Sequence, residues 1–285
     1  MSGPDFATLF RMAGVTGWLH VRDVDTGREA GLGADVPVPL ASVYKLPLLV
    51  EFCRQADAGR LDPTTPTTVT PEQRVAGPTG LSAMLDEVTM SLRDLAYLMM
   101  TVSDNTAADV LLDRVGMDDV NTMLDAFGLT GTRVLQSGRA MYEAMELDTG
   151  HGWPYLDSED ISRMRVLDPA RTNRSTPREM TRLLAMIWRD EAASPASCAW
   201  MRAVLKMQVW PHRLASGFPY DDVEVGGKTG SLPTLRNEVG LVEYPDGGRY
   251  AVAVFTRSFG TAVIQPRADA VIGTVARMAV DHLRR

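Results

Sequence analysis

Strand-forming sequence lies at both ends of this chain, and helix-forming sequence fills the long stretch between them. In "GWLHVRDVDTGREAGLGADV", Trp18, His20 and Arg22 alternate with Leu19, Val21 and Asp23. Asp25-Thr26-Gly27 supplies a turn, which predicts a hairpin. Beyond residue 220, "VEVGGKTGSL" and "EVGLVEYPDGGRYAVAVFTRS" are again strand-rich, with Pro245-Asp246-Gly247-Gly248 as the turn between strands. Strands that cannot stand alone must pair, so the simplest packing joins both ends in one sheet. The expected organisation is a sheet-containing α/β domain (1–40 and 207–285), a helical domain (41–206), and a ligand site in the cleft between them.

The middle predicts its own helix boundaries. A helix is expected from about Val43 to Ala58, stopped by Gly59. "SLRDLAYLMMTV" begins with Ser91 as a cap and Asp94 three residues on, and carries an apolar face of Leu92, Leu95, Ala96, Met99 and Val102. "TAADVLLDRVG" and "DDVNTMLDAFG" end at Gly116 and Gly128, and residues 177–190 begin with a proline in the first turn. Residues 266–284 close the chain as an amphipathic helix.

Composition excludes several classes. The 285 residues are 45% hydrophobic and 23% charged, enough for a sizeable core. A net charge of −7 argues against nucleic acid as a partner. No run approaches ~20 apolar residues, so no membrane span is expected. The start, MSGPDFATLFRMAGV, has no basic segment followed by an apolar one, which points to a cytoplasmic location. Cys53 and Cys198 match no metal-ligand spacing and read as buried free thiols.

Three short motifs carry chemistry. Ser42-Val43-Tyr44-Lys45 places a hydroxyl and an amine three residues apart, on one face of a helix and near its N-terminus. A serine hydroxyl is a weak nucleophile unless a base takes its proton, and a desolvated lysine of lowered pKa is such a base. Unpaired N–H groups at the helix start would stabilise an oxyanion. The structural alternative is a capping serine beside a snorkelling lysine. Pro47 has no N–H to give the Val43 carbonyl, so a bent first turn is expected. Ser103-Asp104-Asn105 falls between two helices, where it reads either as a cap and turn or as a proton relay with a substrate-binding amide. Lys228-Thr229-Gly230 lies on a strand, as an edge gatekeeper or as a place where a ligand meets the backbone.

S-x-x-K, S-D-N and K-T-G in this order form the motif set of class A β-lactamases and penicillin-binding proteins. The chain resembles the class A serine β-lactamase branch over most of its length. "SLRDLAYLMMTVSDNTAADVLLDRVG" is similar to the helix–SDN–helix segment, "RSTPREMTRLL" to the helix after the Ω loop, and "KTGSLPTLRNEVGLVEYPDGGRYAVAVFT" to the third and fourth strands. The resemblance implies an antiparallel sheet flanked by helices plus an all-helical domain. It implies Ser42 as the acylated nucleophile, Lys45 as its base and Ser103 as proton relay to the leaving nitrogen. Asn105 would bind a side-chain amide. Lys228 would hold the relay and, with Thr229, Gly230 and Ser231, recognise a carboxylate, with Arg236 adding a second positive contact. Backbone N–H groups of Ser42 and Ser231 would form the oxyanion hole. No metal or cofactor is implied, the partner is a small-molecule substrate, and a monomer is the family default.

One departure matters. The family carries E-x-x-L-N on its Ω loop, where the glutamate activates the deacylating water. The nearest stretch here is Glu143-Ala144-Met145-Glu146-Leu147-Asp148, with Ala144 where that glutamate belongs and Glu143 one residue early. The segment is long and includes "DTGHGWPYLDSED". His151 is a candidate base or a surface histidine. Trp153 and Tyr155 would line an acyl pocket or pin the loop. His212 and Arg213, in "QVWPHRLASGF", are candidate pocket residues, with helix capping an equal reading for Arg213. The expectation is a serine hydrolase that forms an acyl-enzyme on Ser42 with impaired or altered deacylation. The alternatives are a cytosolic esterase or acyl transferase, and a sensor that is acylated without turnover.

Overall fold

The structure is a computed structural model that describes residues 4–151 and 156–285. The two ends of the chain meet in one five-stranded antiparallel sheet. Its strands are β1 (Val15–Asp23), β2 (Glu29–Leu32), β3 (Glu224–Leu232), β4 (Leu235–Glu243) and β5 (Arg249–Ser258), in the order β2-β1-β5-β4-β3. The N-terminal hairpin is therefore joined to the C-terminal meander through β1 and β5, with Trp18 opposite Phe255 and Val21 opposite Val252. β3, which carries the K-T-G motif, is an edge strand.

Each face of the sheet buries a separate apolar layer. On one face, Val15, Leu19, Val21, Val252 and Val254 pack under the C-terminal helix, Pro266–Leu283, through Ile272, Val275 and Ala279. On the other, Val239, Leu241, Ala253 and Phe255 join the core of the helical middle. Central strand positions are thus buried on both sides, because helices cover both faces.

The predicted helix starts are made by side chains that accept unpaired backbone N–H groups. Ser91 accepts from the amide of Asp94 at 3.1 Å. Asp104 accepts from Thr106 and Ala107 at 2.9 and 3.1 Å and starts the Asn105–Val115 helix. Thr176 caps Pro177–Trp188 through the amide of Glu179. The middle also carries a two-stranded ladder, Pro66–Val69 with Val88–Ser91.

The segment around Ser42 departs from the expected helix. Ala41–Tyr44 is a 3-10 turn, and the α-helix runs from Lys45 to Asp57. Pro47 is therefore the third residue of the α-helix, where its missing N–H has no intrahelical acceptor to lose. Cys53 and Cys198 are both buried free thiols. Among the described residues no helix is long and apolar enough to cross a membrane, and no group of three or more His, Cys, Asp or Glu is arranged to hold a metal.

Candidate active site

Ser42 enters the site on a strained turn. Ala41 has φ +49° and Ser103 has φ +60°; these are two of four non-glycine residues with positive φ among the described ones, and both flank the same cavity. Such conformations cost free energy and persist only where the surroundings impose them. The surroundings are visible. Asn237 on β4 donates from Nδ2 to the carbonyl of Pro39 at 3.0 Å. Gly230 on β3 lies so close that a Cβ there would meet the Leu40 carbonyl at 2.6 Å. The serine turn is thus pressed against the edge of the sheet, and only glycine fits the contact.

Ser103 is held from the other side. The Asp104 carboxylate, fully buried, accepts from the amide of Leu81 at 2.5 Å and from the Ser82 hydroxyl at 3.2 Å, besides capping its helix. Thr79 donates to the carbonyl of Val102 at 2.7 Å. These bonds bind the 79–82 loop to the S-D-N turn and leave Pro78 and Thr79 as one wall of the cavity.

Two buried lysines converge on Ser103. Lys45 Nζ donates to the Ser103 carbonyl at 2.8 Å, to Asn105 Oδ1 at 2.7 Å, and more weakly to Ser103 Oγ at 3.4 Å. Lys228 Nζ donates to Ser103 Oγ at 2.9 Å and to the Thr229 carbonyl at 2.8 Å. Neither lysine is exposed. Burial lowers Lys45 to about 7, against an upward pull from Asp104 and Asp109. Burial also drives Lys228 well below the ordinary lysine value, with the charge of Lys45 pushing the same way. A gatekeeper lysine would be exposed; Lys228 is inside.

The cavity at this junction holds about 280 Å³ and is lined by Ser42, Ser103, Asn105, Thr229 and Ser231, with Pro78, Thr79, Val102, Tyr142, Trp210, His212 and Arg213 completing it. Ser42 lines it, and the Ser42 hydroxyl has no hydrogen-bond partner among the described residues. Ser42 N–H lies at the start of the 3-10 turn, where the first amides lack intrahelical acceptors.

Several residues that the sequence offers as candidates fall elsewhere. Arg236 is buried on β4 and gives its guanidinium to the carbonyls of Leu235 and Val263, at 2.8 and 2.5 Å. It does not line the cavity. Arg213 does, donating to Ser231 Oγ at 2.7 Å, to the Gly230 and Asn237 carbonyls at 3.1 and 3.0 Å, and to Asp269 at 2.7 Å. The resemblance implies Arg236, which pairs across from Ser231 in the ladder, yet its guanidinium turns to the hairpin end. Glu143 is exposed on the Gly138–Thr149 helix, away from the cavity. His151 is exposed and pairs with Asp160 at 3.2 Å, also away from it. Trp153 and Tyr155 lie outside the described residues. His212 does line the cavity, and burial with the nearby Arg213 charge lowers its pKa.

Two further participants are not marked by any motif. Tyr142 projects into the cavity from the Gly138–Thr149 helix. Asp109 is buried and accepts from the amides of Gly138 and Arg139 at 2.7 and 2.8 Å, fixing that helix. A carboxylate on the apolar face of "TAADVLLDRVG" is the available signal for Asp109; Tyr142 has none.

The chain is similar to several known proteins. Residues 4–283 match the model of the β-lactamase enzyme family. A β-lactamase regulatory protein, BlaB, of Streptomyces cacaoi is 34% identical over 292 residues, spanning 95% of this chain and 94% of that protein. A crystal structure of a β-lactamase from Sphaerobacter thermophilus superposes with a TM-score of 0.80 at 26% identity, covering 97% of this chain and 94% of the other. The fold is also that of PBP-A, whose mutant was solved as an acyl-enzyme complex with penicillin G (TM-score 0.80, 24% identity, 98% and 94% covered).

Proposed function

The chain belongs to the β-lactamase enzyme family, and from that premise we propose that it forms an acyl-enzyme on Ser42 with β-lactams and releases it slowly. The site lies in the cleft between the sheet-containing part (1–40 and 207–285) and the helical part (41–206). Neutral Lys45 takes the proton as Ser42 Oγ attacks the lactam carbonyl. The amides of Ser42 and Ser231 hold the developing oxyanion. Ser103, kept in place by Lys228, passes a proton to the lactam nitrogen as the C–N bond breaks. Thr229, Ser231 and Arg213 receive the substrate carboxylate. Asn105 faces the acyl side chain.

The observation that carries slow release is the lining of the cavity. None of the described residues that line it is an Asp or Glu, which supports a site without a carboxylate to activate water on the ester. The regulatory name of the 34% identical relative supports the same reading, in which acylation rather than turnover is the signal. A second reading has a specific observation behind it: His212 is in the cavity and its lowered pKa keeps it neutral, as a base must be. In that case the protein is a working β-lactamase.

Intact-protein mass spectrometry after mixing with benzylpenicillin and with a cephalosporin tests this. The expected result is an adduct on Ser42 that long outlives its formation and is absent in Ser42→Ala. An adduct that clears quickly, and persists only in His212→Ala, would establish the second reading. Failure to acylate, or acylation of Ser42→Ala, would overturn both.

A further inference from the structure

The helix that carries Tyr142 is set against the helix that carries Asn105 by two contacts one turn apart. Asn105 and Asp109 are four residues apart on one helix, and Tyr142 and Gly138 are four apart on the other, so each pair shares a face. Asp109 meets the Gly138 amide at 2.7 Å. One turn along, Asn105 Nδ2 meets the Tyr142 hydroxyl at 3.5 Å. Space at the first contact is tight: a Cβ on Gly138 would stand 3.0 Å from Asp109 Oδ1. Arg139 adds a third anchor, donating to the carbonyls of Gln73 and Arg74 at 3.0 and 3.2 Å. The phenol ring is therefore placed by a braced helix and not by a free loop.

Its position bears on Asn105. An amide nitrogen has two hydrogens. One Asn105 hydrogen is spent on the Ala76 carbonyl at 2.7 Å, and Asn105 Oδ1 is spent on Lys45. Only the hydrogen facing Tyr142 remains for a ligand, and the phenol reaches that spot with its hydroxyl 3.5 Å from the Asn105 nitrogen. A substrate whose acylamino carbonyl reaches for Asn105 must enter the space the phenol fills. The cavity, about 280 Å³, is at the small end for a ligand site.

Resting on the acyl-enzyme reading above, we infer that Tyr142 is a specificity-determining residue that slows acylation by β-lactams as their acylamino side chain grows bulkier. Tyr142 lines the cavity beside Asn105, and Thr229, Ser231 and Arg213, which the proposed mechanism gives to the substrate carboxylate, line it as well. The β-lactam nucleus, common to all substrates, is not contested by the ring, whereas the side chain is.

The test compares acylation rates of Ser42 by 6-aminopenicillanic acid, which has a free amine in place of the acylamino group, and by cefotaxime, which has a bulky one. Adducts are followed by intact mass in the wild type, Tyr142→Ala and Tyr142→Phe. Tyr142→Ala is expected to raise the cefotaxime to 6-aminopenicillanic acid rate ratio at least tenfold. Tyr142→Phe keeps the ring and is expected to stay within about threefold of the wild-type ratio. Adducts that form with an unchanged ratio in Tyr142→Ala would overturn the inference and leave the acyl-enzyme reading intact. A Tyr142→Phe ratio that moves as far as that of Tyr142→Ala would overturn it too, since the hydroxyl and not the ring would be the selector. If neither compound, nor benzylpenicillin, acylates the wild type, the acyl-enzyme reading fails and this inference falls with it.

Discussion

Lys228 Nζ donates to the Ser103 hydroxyl at 2.9 Å, and the Lys45 nitrogen lies 3.4 Å from the same oxygen. Two cations so close, both out of water, repel each other, and burial adds to the cost of charge. Burial and the charge of Lys45 together push Lys228 toward the neutral amine, while burial brings Lys45 down to about 7, which leaves part of it neutral and able to serve as the base of the proposed acylation.

The pH dependence of acylation follows. With Lys45 at about 7, its neutral fraction grows tenfold per pH unit below that value and saturates above it. The rate of adduct formation is expected to rise through pH 6 to 7 and level off on the alkaline side. A stopped-flow or quenched mass-spectrometric profile measures it. A rate that falls as pH rises through this range would assign the base elsewhere.

Gly230→Ala is expected to damage both stability and acylation. The new methyl would meet the Leu40 carbonyl at 2.6 Å and Val43 Cγ2 at 3.1 Å, pushing the serine turn off the strand. Overpacking of this kind costs about 1–3 kcal/mol. Urea denaturation reads the stability and adduct formation reads the misplacement. Wild-type values in both would mean that the turn and strand are not as close as described.

Much of this was legible in the chain, because local chemistry decided it. Ser91, Asp104 and Thr176 cap helices for the reason their short polar side chains predict, and Gly59 and Gly116 stop them. Of the motif residues, Ser42 and Ser103 line one cavity, and Lys45 and Lys228 both reach the Ser103 hydroxyl. What was not legible depends on tertiary contact. The 3-10 turn at Ala41–Tyr44 is imposed by Asn237 and Gly230, nearly two hundred positions away on the sheet. The choice of Arg213 over Arg236 depends on which guanidinium is drawn off by the Leu235 and Val263 carbonyls. Tyr142 reaches the site on a helix that Asp109 and Arg139 anchor.

Asp104 is a structural test of the S-D-N turn. Its buried carboxylate serves Leu81, Ser82, Thr106 and Ala107 at once. Asp104→Ala orphans several buried donors at about 1–3 kcal/mol each, so a loss of about 3 kcal/mol or more is expected by chemical denaturation. Asp104→Asn, which keeps one acceptor oxygen, should lose less. Equal losses in the two variants would show that the charge, and not the acceptor geometry, matters.

Arg213 and Arg236 separate binding from architecture. Both are buried, and both approach Asp269, at 2.7 and 3.7 Å. Only Arg213 touches Ser231 on the wall of the cavity. A charge-assisted bond to a carboxylate contributes about 1.5–3 kcal/mol, which is roughly ten- to a hundredfold in rate. Arg213→Ala is therefore expected to reduce the preference for benzylpenicillin over its methyl ester by that factor, because only the acid presents a carboxylate. The ratio cancels any general loss of activity from the orphaned Gly230 and Asn237 carbonyls. Arg213→Lys should recover little of it, since an ammonium cannot span Ser231 and the two carbonyls with one planar fork. Arg236→Ala should lower thermal stability by loosening the hairpin end while leaving the acid-to-ester ratio near that of the wild type. If Arg236→Ala shifted the ratio and Arg213→Ala did not, the carboxylate site would have to be moved to the other arginine.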